Sequence, residues 1–325
     1  MTHVLVCGGA GYIGAHMAKA LARAECKVTV FDNLSTGHRA AVQWGELVEG
    51  DLLDKEALER LFKVHRFDAV MHFCALSQVA ESVRVPYVYY RNNVVGTLNL
   101  LDAMHQAGVE RLVFSSTAAV YGVPTTDKLD ESHPTVPINP YGSSKLMVET
   151  MLEDAANAYG LRSVALRYFN AAGADPEGEI GESHTPETHL IPNVLRNALG
   201  LSEGLKIFGD DYPTRDGTCV RDYIHVNDLA AAHLQAMRYL DSHEGAHRFN
   251  LGSGSGYTVM EIVEAARRVT GKSISFSVAP RRAGDPPVLV ADSKRAVDAL
   301  GWRPSFDDMP AIIETAWSWH CNPRY

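Results

Sequence analysis

Three glycines, Gly8, Gly11 and Gly14, recur at every third position directly after the apolar run His3–Cys7 and directly before a stretch of helical periodicity. No other feature of the chain restricts its fold so tightly. Glycines at this spacing let the backbone turn sharply out of a strand, approach a diphosphate closely and seat the next helix on the strand. The helix N-terminus then offers N–H groups and a favourable dipole to the anion. A second apolar run, 27–31, leads into Asp32. A carboxylate at that offset accepts hydrogen bonds from an adenosine ribose and repels a 2′-phosphate. The pattern predicts NAD rather than NADP.

The alternation continues. Short apolar runs at 69–73, 111–115 and 163–167 are bounded by Gly, Asp or Ser and read as buried strands, with helices predicted over 13–24, 55–64, 88–106 and 142–158. Strands alternating with helices imply an α/β fold: a doubly wound, parallel, Rossmann-type sheet covered on both faces. The character changes after Ala172. Gly, Pro, His and acidic residues crowd 172–192, which reads as a long loop. Shorter elements follow: a helix near 193–200, a strand at 206–208, a helix at 227–240, a strand at 248–251 and a helix from Val259. The strand at 248–251 is placed to rejoin the first sheet. The expected organisation is a cofactor domain over 1–172 that also receives segments near 222–255, and a smaller C-terminal α/β substrate domain over most of 173–325. The boundary is discontinuous.

Thirty basic against 39 acidic side chains leave a formal charge of −9. That balance argues against nucleic acid or a membrane surface as partner, since both need a basic face. No apolar run approaches the roughly 18 residues needed to span a bilayer, and no signal peptide is visible at the N-terminus. The five cysteines are odd in number and contain no C-x-x-C. Reduced thiols and a cytoplasmic location are expected. The run His243-Glu244-Gly245-Ala246-His247 matches H-E-x-x-H, but a glycine in its middle and a strand directly after it deny it a helix. His184 and His189 fall in the long loop and read as facing solvent or substrate, so no metal is expected. Gly252-Ser253-Gly254-Ser255-Gly256 follows a strand but has Tyr257 where a further glycine belongs, and reads as a turn.

Tyr141 and Lys145 stand four apart, on one face of a predicted helix. A lysine charge beside a phenol favours the phenolate, which then serves as a general base near neutral pH. The preceding strand leads into Ser115-Ser116-Thr117, and ligands of a doubly wound sheet sit beyond the carboxyl ends of its strands. Thr117 can therefore reach the same substrate oxygen as Tyr141. These residues, with GGAGYIG, FDNLSTG, EGDLLD, YYRNNVVGTLNLL, FSSTAAVYG, NPYGSSKLMVE, LRYFNAAGA, IFGDDYPTRDGTCVRDYIHVNDLA, FNLGSG and APRRAGDPP, resemble the extended short-chain dehydrogenase/reductase family in its nucleotide-sugar 4-epimerase branch. The resemblance covers essentially the whole chain.

It implies roles residue by residue. Gly8, Gly11, Tyr12 and Ile13 would cradle the NAD pyrophosphate. Asp32, Asn33 and Ser35 would hold the adenosine ribose, and Asp51 and Leu52 would flank the adenine. Phe73, Asn92, Tyr141, Lys145 and Tyr168 would line the nicotinamide half. Tyr141 would be the base, Lys145 its tuner and Thr117 the catalytic hydroxyl. Asn170 would contact the UDP-sugar, and Arg221, Arg282 and Asp285 would hold UDP, the arginines meeting the diphosphate. The implied reaction is reversible epimerisation at C4 of a UDP-hexose, UDP-glucose or UDP-galactose, through a 4-keto sugar with tightly bound NAD. The helix over 87–101 and the helix over 141–159 would form the interface of a homodimer.

Three positions depart from the branch's pattern. Cys7 replaces a frequent Thr, and Ser77 stands where some members carry a Lys near the nicotinamide. Leu289 matches a position that sizes the pocket around the sugar's C2 substituent, and an apolar wall there discriminates by only about 1–3 kcal/mol per methylene. The alternative is thus a 4-epimerase of another UDP-sugar such as UDP-GlcNAc or UDP-GalNAc. A nucleotide-sugar 4,6-dehydratase is disfavoured, because Ala118 and Ala119 follow Thr117 where that group has Asp and Glu. A non-catalytic NAD-binding sensor would not need Tyr141, Lys145 and the paired arginines together.

Overall fold

A computed structural model of the chain describes residues 1–202, 204–282 and 285–325. Ala283 and Gly284 of the APRRAGDPP stretch lie outside the described residues. Along the first half run β1 (His3–Cys7), α1 (Tyr12–Arg23), β2 (Lys27–Asp32), β3 (Glu46–Glu49), α2 (Lys55–Val64), β4 (Ala69–His72), α3 (Val79–Arg84), α4 (Pro86–Tyr89), α5 (Gly96–Gln106), β5 (Arg111–Thr117), α6 (Pro140–Tyr159) and β6 (Arg162–Tyr168). The second half holds β7 (Asn170–Ala172), α7 (Leu190–Ala198), β8 (Leu205–Phe208), β9 (Val220–Arg221), β10 (Tyr223–His225), α8 (Val226–Tyr239) and β11 (Ala246–Leu251). After these come β12 (Tyr257–Thr258), α9 (Val259–Thr270), β13 (Phe276–Ala279), β14 (Val288–Leu289), α10 (Lys294–Leu300) and α11 (Met309–Cys321).

Seven strands form the main sheet in the order β11, β6, β5, β4, β1, β2, β3. Every pairing in it is parallel. Its inner strands are continuously apolar because both faces are covered. On one face α1 and α8 pack together, burying Met17, Leu21, Leu229 and Met237 against Val4, Val6 and Val30. On the other, α2, α5 and α6 bury Leu58, Leu100, Met104 and Val148 against Leu5, Val70 and Leu112. The order reverses at β1, whose neighbours are β4 and β2, and this is the crevice where such a sheet takes a ligand.

A second core gathers Ile191, Val194 and Leu195 of α7, Ile262 and Ala266 of α9 and Ile312 and Ile313 of α11 around Ile207 of β8 and Tyr223 of β10. Short ladders join this part to the first: β7 pairs with β10, β9 lies between β12 and β14, and β8 pairs with β13. The expected strand at 248–251 does rejoin the main sheet, as the longer β11, in register with β6 from Ala246↔Ser163 to Leu251↔Tyr168.

The expected single helix over 88–106 is instead three pieces. Between α4 and α5 the six residues Tyr90–Val95 form a π-helical turn. Its Asn93 side chain leaves the helix surface to accept from Leu76 N–H at 2.9 Å and to donate to Leu76 O and Ser144 Oγ, each at 3.0 Å. Thr97 Oγ1 donates back to the Asn93 carbonyl at 2.6 Å, a bond that competes with the regular ladder. Wide turns of this kind concentrate at functional sites.

Candidate active site

The carboxyl ends of β1, β2, β4, β5 and β6 line one edge of the sheet because their ladders are parallel and nearly in step. Cys7 faces Phe31 and His72, and Thr117 faces Tyr168. Gly8, Asp32, Phe73, Thr117 and Tyr168 therefore arrive at the same edge.

At β1 the turn into α1 depends on its glycines. Gly8 has φ +83°, and a Cβ on it would lie 2.8 Å from the Cys74 nitrogen. A Cβ on Gly14 would lie 2.1 Å from the Gly8 carbonyl oxygen, so helix and turn touch through bare backbone. A Cβ on Gly11, in contrast, would meet only that carbonyl, at 3.4 Å, which leaves its outer side open. No side chain caps α1 at Gly11, so the first-turn N–H groups have no side-chain acceptor. Asp32 is buried and accepts from Ala10 N–H at 3.0 Å and from Leu34 N–H at 2.8 Å. Two carboxylate oxygens keep lone pairs beyond these for a diol. Asn33 donates to Asp51 at 2.8 Å, which ties the two loops beyond β2 and β3 together, with Ser35 and buried Leu52 beside them. An uncapped helix start, an open glycine face and an acceptor-only carboxylate make up a donor and acceptor set that fits a dinucleotide.

Further along the edge α6 begins. Asn139 caps it by accepting from Gly142 N–H at 2.8 Å, and Pro140 fills its first turn. The start is thus fixed one residue before Tyr141. Lys145 is buried one turn on, and its Nζ donates to the Ser115 carbonyl at 2.7 Å over the Phe114 ring. The Tyr168 hydroxyl meets Ser115 Oγ. Thr117 closes β5 and accepts from Ala119 N–H at 3.1 Å. Burial raises the Tyr141 phenol above its usual range, and a hydrogen bond from Thr117 pulls it the other way. Burial also lowers Lys145, to about 7, against the pull of Cys74 and Glu149. Asn92 lies in the π turn, Phe73 packs beside His233, and Ser77 is exposed.

Asn170, Arg221, Arg282, Asp285 and Leu289 lie on the second core's side. Arg221 pairs with Leu289 across β9 and β14 and is held at both ends of its guanidinium. One nitrogen donates to Asp285 at 2.8 Å and another to the carbonyls of Val220 and Pro286. The Arg282 guanidinium lies over the Phe208 ring, its carbon 4.0 Å from the ring centre. Asn170 donates to the Asp222 carbonyl at 2.8 Å. Leu289 packs against the cluster of Ala118, Val120, Tyr121 and Leu129, the first of which directly follows Thr117.

Asp222 was not singled out by the sequence. Its carboxylate accepts from the N–H groups of Ser253, Gly254 and Ala291 at 2.7–3.0 Å. The second glycine cluster is therefore a turn already filled by a protein carboxylate. Sequence reasoning also passed over Ser115, Asn93 and a buried network in which Glu149 accepts from Ser116 at 2.6 Å and from Arg167 at 2.9 Å. Glu149 carried a signal: it is a charge at i+4 from Lys145, on the helix face that buries Val148 and Leu152. His243 lies in an exposed turn and stacks on Tyr239, whereas His247 is the second residue of β11 and turns to the Glu244 carbonyl, so the two rings do not share a helix face.

Residues 4–252 match the NAD dependent epimerase/dehydratase family. A UDP-glucose 4-epimerase of Lacticaseibacillus casei is 52% identical over 320 residues, which cover 98% of this chain and 97% of the relative. The crystal structure of UDP-glucose 4-epimerase from Brucella ovis in complex with NAD superposes with a TM-score of 0.95 at 51% identity, covering 98% of each chain. That of UDP-glucose 4-epimerase from Bifidobacterium longum in complex with NAD+ and UDP gives 0.94 at 37% identity, covering 99% of each chain.

Proposed function

Since the chain belongs to the NAD-dependent epimerase/dehydratase family, we infer that the shared edge of strand ends is the site at which it epimerises C4 of a UDP-hexose. The enzyme is an NAD-dependent isomerase of UDP-glucose and UDP-galactose. The observation that carries the residue roles is the meeting of Thr117, Tyr141 and Lys145 beyond β5, directly beside the Leu289 wall.

Gly8, Gly11, Tyr12 and Ile13 would hold the pyrophosphate of NAD. Asp32, Asn33 and Ser35 would hold its ribose, Asp51 and Leu52 its adenine, and Phe73, Asn92 and Tyr168 its nicotinamide half. NAD held there would accept the hydride that leaves C4 and return it to the 4-keto carbon, so the net redox change is zero. Tyr141 Oη takes the proton from O4 as the 4-keto sugar forms and gives it back to O4 on the other epimer. Thr117 Oγ1 holds O4 while that proton moves. Lys145, whose Nζ donates to the Ser115 carbonyl, would tune Tyr141 and hold the nicotinamide ribose. Arg221, Arg282 and Asp285 would grip the UDP, and Asn170 would contact the UDP-sugar. A firm grip on the diphosphate and a loose one on the hexose let the 4-keto ring turn over, so each face of C4 is presented in turn. Residues 1–172 with 222–255 serve as the cofactor domain and most of 173–325 as the sugar-nucleotide domain.

A second copy of the chain completes the assembly. The sides of α3, α4, α5 and α6 away from the sheet expose Val83, Tyr87, Val88, Leu98, Met147 and Tyr159, with Tyr87 82% exposed. An apolar surface spread over adjacent helices is what an isologous dimer covers. Light scattering at micromolar concentration is expected to give twice the 35.5 kDa chain mass, and a monomer would overturn it.

The function is tested by a coupled assay without added NAD, on UDP-galactose and UDP-GalNAc side by side, with Tyr141→Phe as control. Turnover of UDP-galactose that vanishes in the variant supports the roles assigned. Comparable turnover of both sugars would show that Leu289 leaves the pocket open. Turnover of neither, with NAD bound, would sink the assignment.

A further inference from the structure

Among the described residues two clusters bring at least three metal-type ligand atoms within 4.8 Å of one another. In one, Asp175, Glu177 and Glu179 surround the buried Lys19 ammonium at 2.6–2.9 Å, so that cluster has its cation built in. The other is Glu182, His184, Glu187 and His189, four donors from eight residues of the loop that enters α7. Here two of the donors are imidazoles, and both present Nδ1 to the carboxylates.

Each of the four side chains brings one ligand atom within 4.8 Å of the other three, close enough for one small ion to reach them all. An ion with bonds of about 2.1 Å holds its ligand atoms about 3.4 Å apart. His184 Nδ1 lies 3.3 Å from Glu182 Oε1 and 3.5 Å from Glu187 Oε2, and His189 Nδ1 touches Glu182 Oε1. The two carboxylates are almost wholly buried, with side chains 4% and 3% exposed, while the imidazoles close the outer side. Their supports are already in place. Glu187 Oε1 accepts from the N–H groups of Thr188 and His189, both at 2.8 Å, which leaves Oε2 turned into the cluster. Trp319 Nε1 donates to the Glu182 carbonyl at 2.9 Å, and Asn193 donates to that of His189 at 2.8 Å. The bonds to Glu187 orient a ligand carboxylate, as outer partners do at metal sites, and the other two hold the backbone that carries Glu182 and His189.

We propose that Glu182, His184, Glu187 and His189 bind one divalent transition-metal ion, zinc by the chemistry of two imidazoles and two carboxylates, and that the ion locks the loop beside the pyrophosphate turn. Two carboxylates match its charge, and with all four positions taken by protein the site is structural and closed. The loop is next to the turn because Tyr12 donates to the Gly173 carbonyl at 2.6 Å and its ring faces that of His184 edge-on. The sequence alone, with its histidines scattered and its H-E-x-x-H run in a turn, led to the opposite expectation.

The experiment uses the NAD-loaded enzyme, stripped with a chelator, desalted and titrated with zinc chloride by calorimetry, with metal content measured after gel filtration. One equivalent of zinc per chain is expected, with a rise in Tm. His184→Asn and His189→Asn should each weaken binding at least tenfold, on the order seen when metal-site partners are lost. His243→Asn, in the exposed turn, should change nothing. If either ligand variant fails to fold, Glu187→Gln tests the same site, and cobalt loading of the wild type should give the visible absorption of a tetrahedral ion. No zinc binding by the wild type, or binding unchanged in the ligand variants, would overturn the proposal and leave the cluster as two histidine–carboxylate ion pairs.

Discussion

Tyr141 and Lys145 divide the chemistry between a base and the group that holds it. Burial pushes the phenol up and the ammonium down to about 7, and a hydrogen bond from Thr117 draws the phenol back. Tyr141→Phe is expected to lower kcat about 10²–10⁴-fold, the usual contribution of a positioned acid–base group, while bound NAD stays measurable by its absorbance. Lys145→Met should move the acid limb of the kcat–pH profile to higher pH, because the base must be ionised and loses its neighbouring donor. An unshifted profile would show that Lys145 acts on binding only. At this scale the sequence was informative where chemistry follows from spacing: Tyr141, Lys145 and Asp32 sit at the edge that their spacing implied. It was silent on Ser115 and Asp222. Nothing in a serine or an aspartate states which carbonyl, hydroxyl or N–H group the fold will bring to it from as far as 69 residues away.

At the level of elements, α6 is bound to the sheet by charge as well as by its apolar face. Glu149 and Arg167 face each other with side chains 1% and 3% exposed. The same arginine donates to Tyr121 at 3.0 Å, which donates to Asn250 of β11 at 2.6 Å. Glu149→Ala should therefore cost about 3–5 kcal/mol in denaturant unfolding, since it strands a buried guanidinium. The double variant Glu149→Leu, Arg167→Met should recover much of that loss, and equal losses would show that the pair itself carries the stability. Thr258 caps α9 in a reciprocal box with Glu261, and Thr258→Ala should cost about 1 kcal/mol. The inner strands were legible because double-sided burial leaves them apolar throughout. Edge strand β3, Glu-Leu-Val-Glu, is too polar for that signal. The two- and three-residue ladders of the second half are too short for any period, and the π turn is decided by where Asn93 finds its partners.

For the molecule as a whole, acid is the condition to which this packing is most exposed. His72, His225 and His233 are buried, and burial lowers them to about 3, 3 and 4. Unfolded imidazoles take up protons below about pH 6.5, whereas these take none until far lower. The unfolded state thus binds more protons as pH falls through that window, and stability drops by up to about 1.4 kcal/mol per pH unit for each ring. Urea midpoints measured at pH 7, 6 and 5 should fall together, and a flat series would refute the linkage.

The position of β11 has a consequence for the order in which the molecule can be completed. The sheet's last strand is encoded after the first three elements of the second core, α7, β8 and β10, and it covers β6 from Ser163 to its end at Tyr168. During synthesis β6 waits with bare N–H and C=O groups until residue 251 has left the ribosome, and an uncovered edge invites pairing with other chains. A fragment ending at residue 172 should aggregate, whereas one extended through β11 and α8 removes that edge.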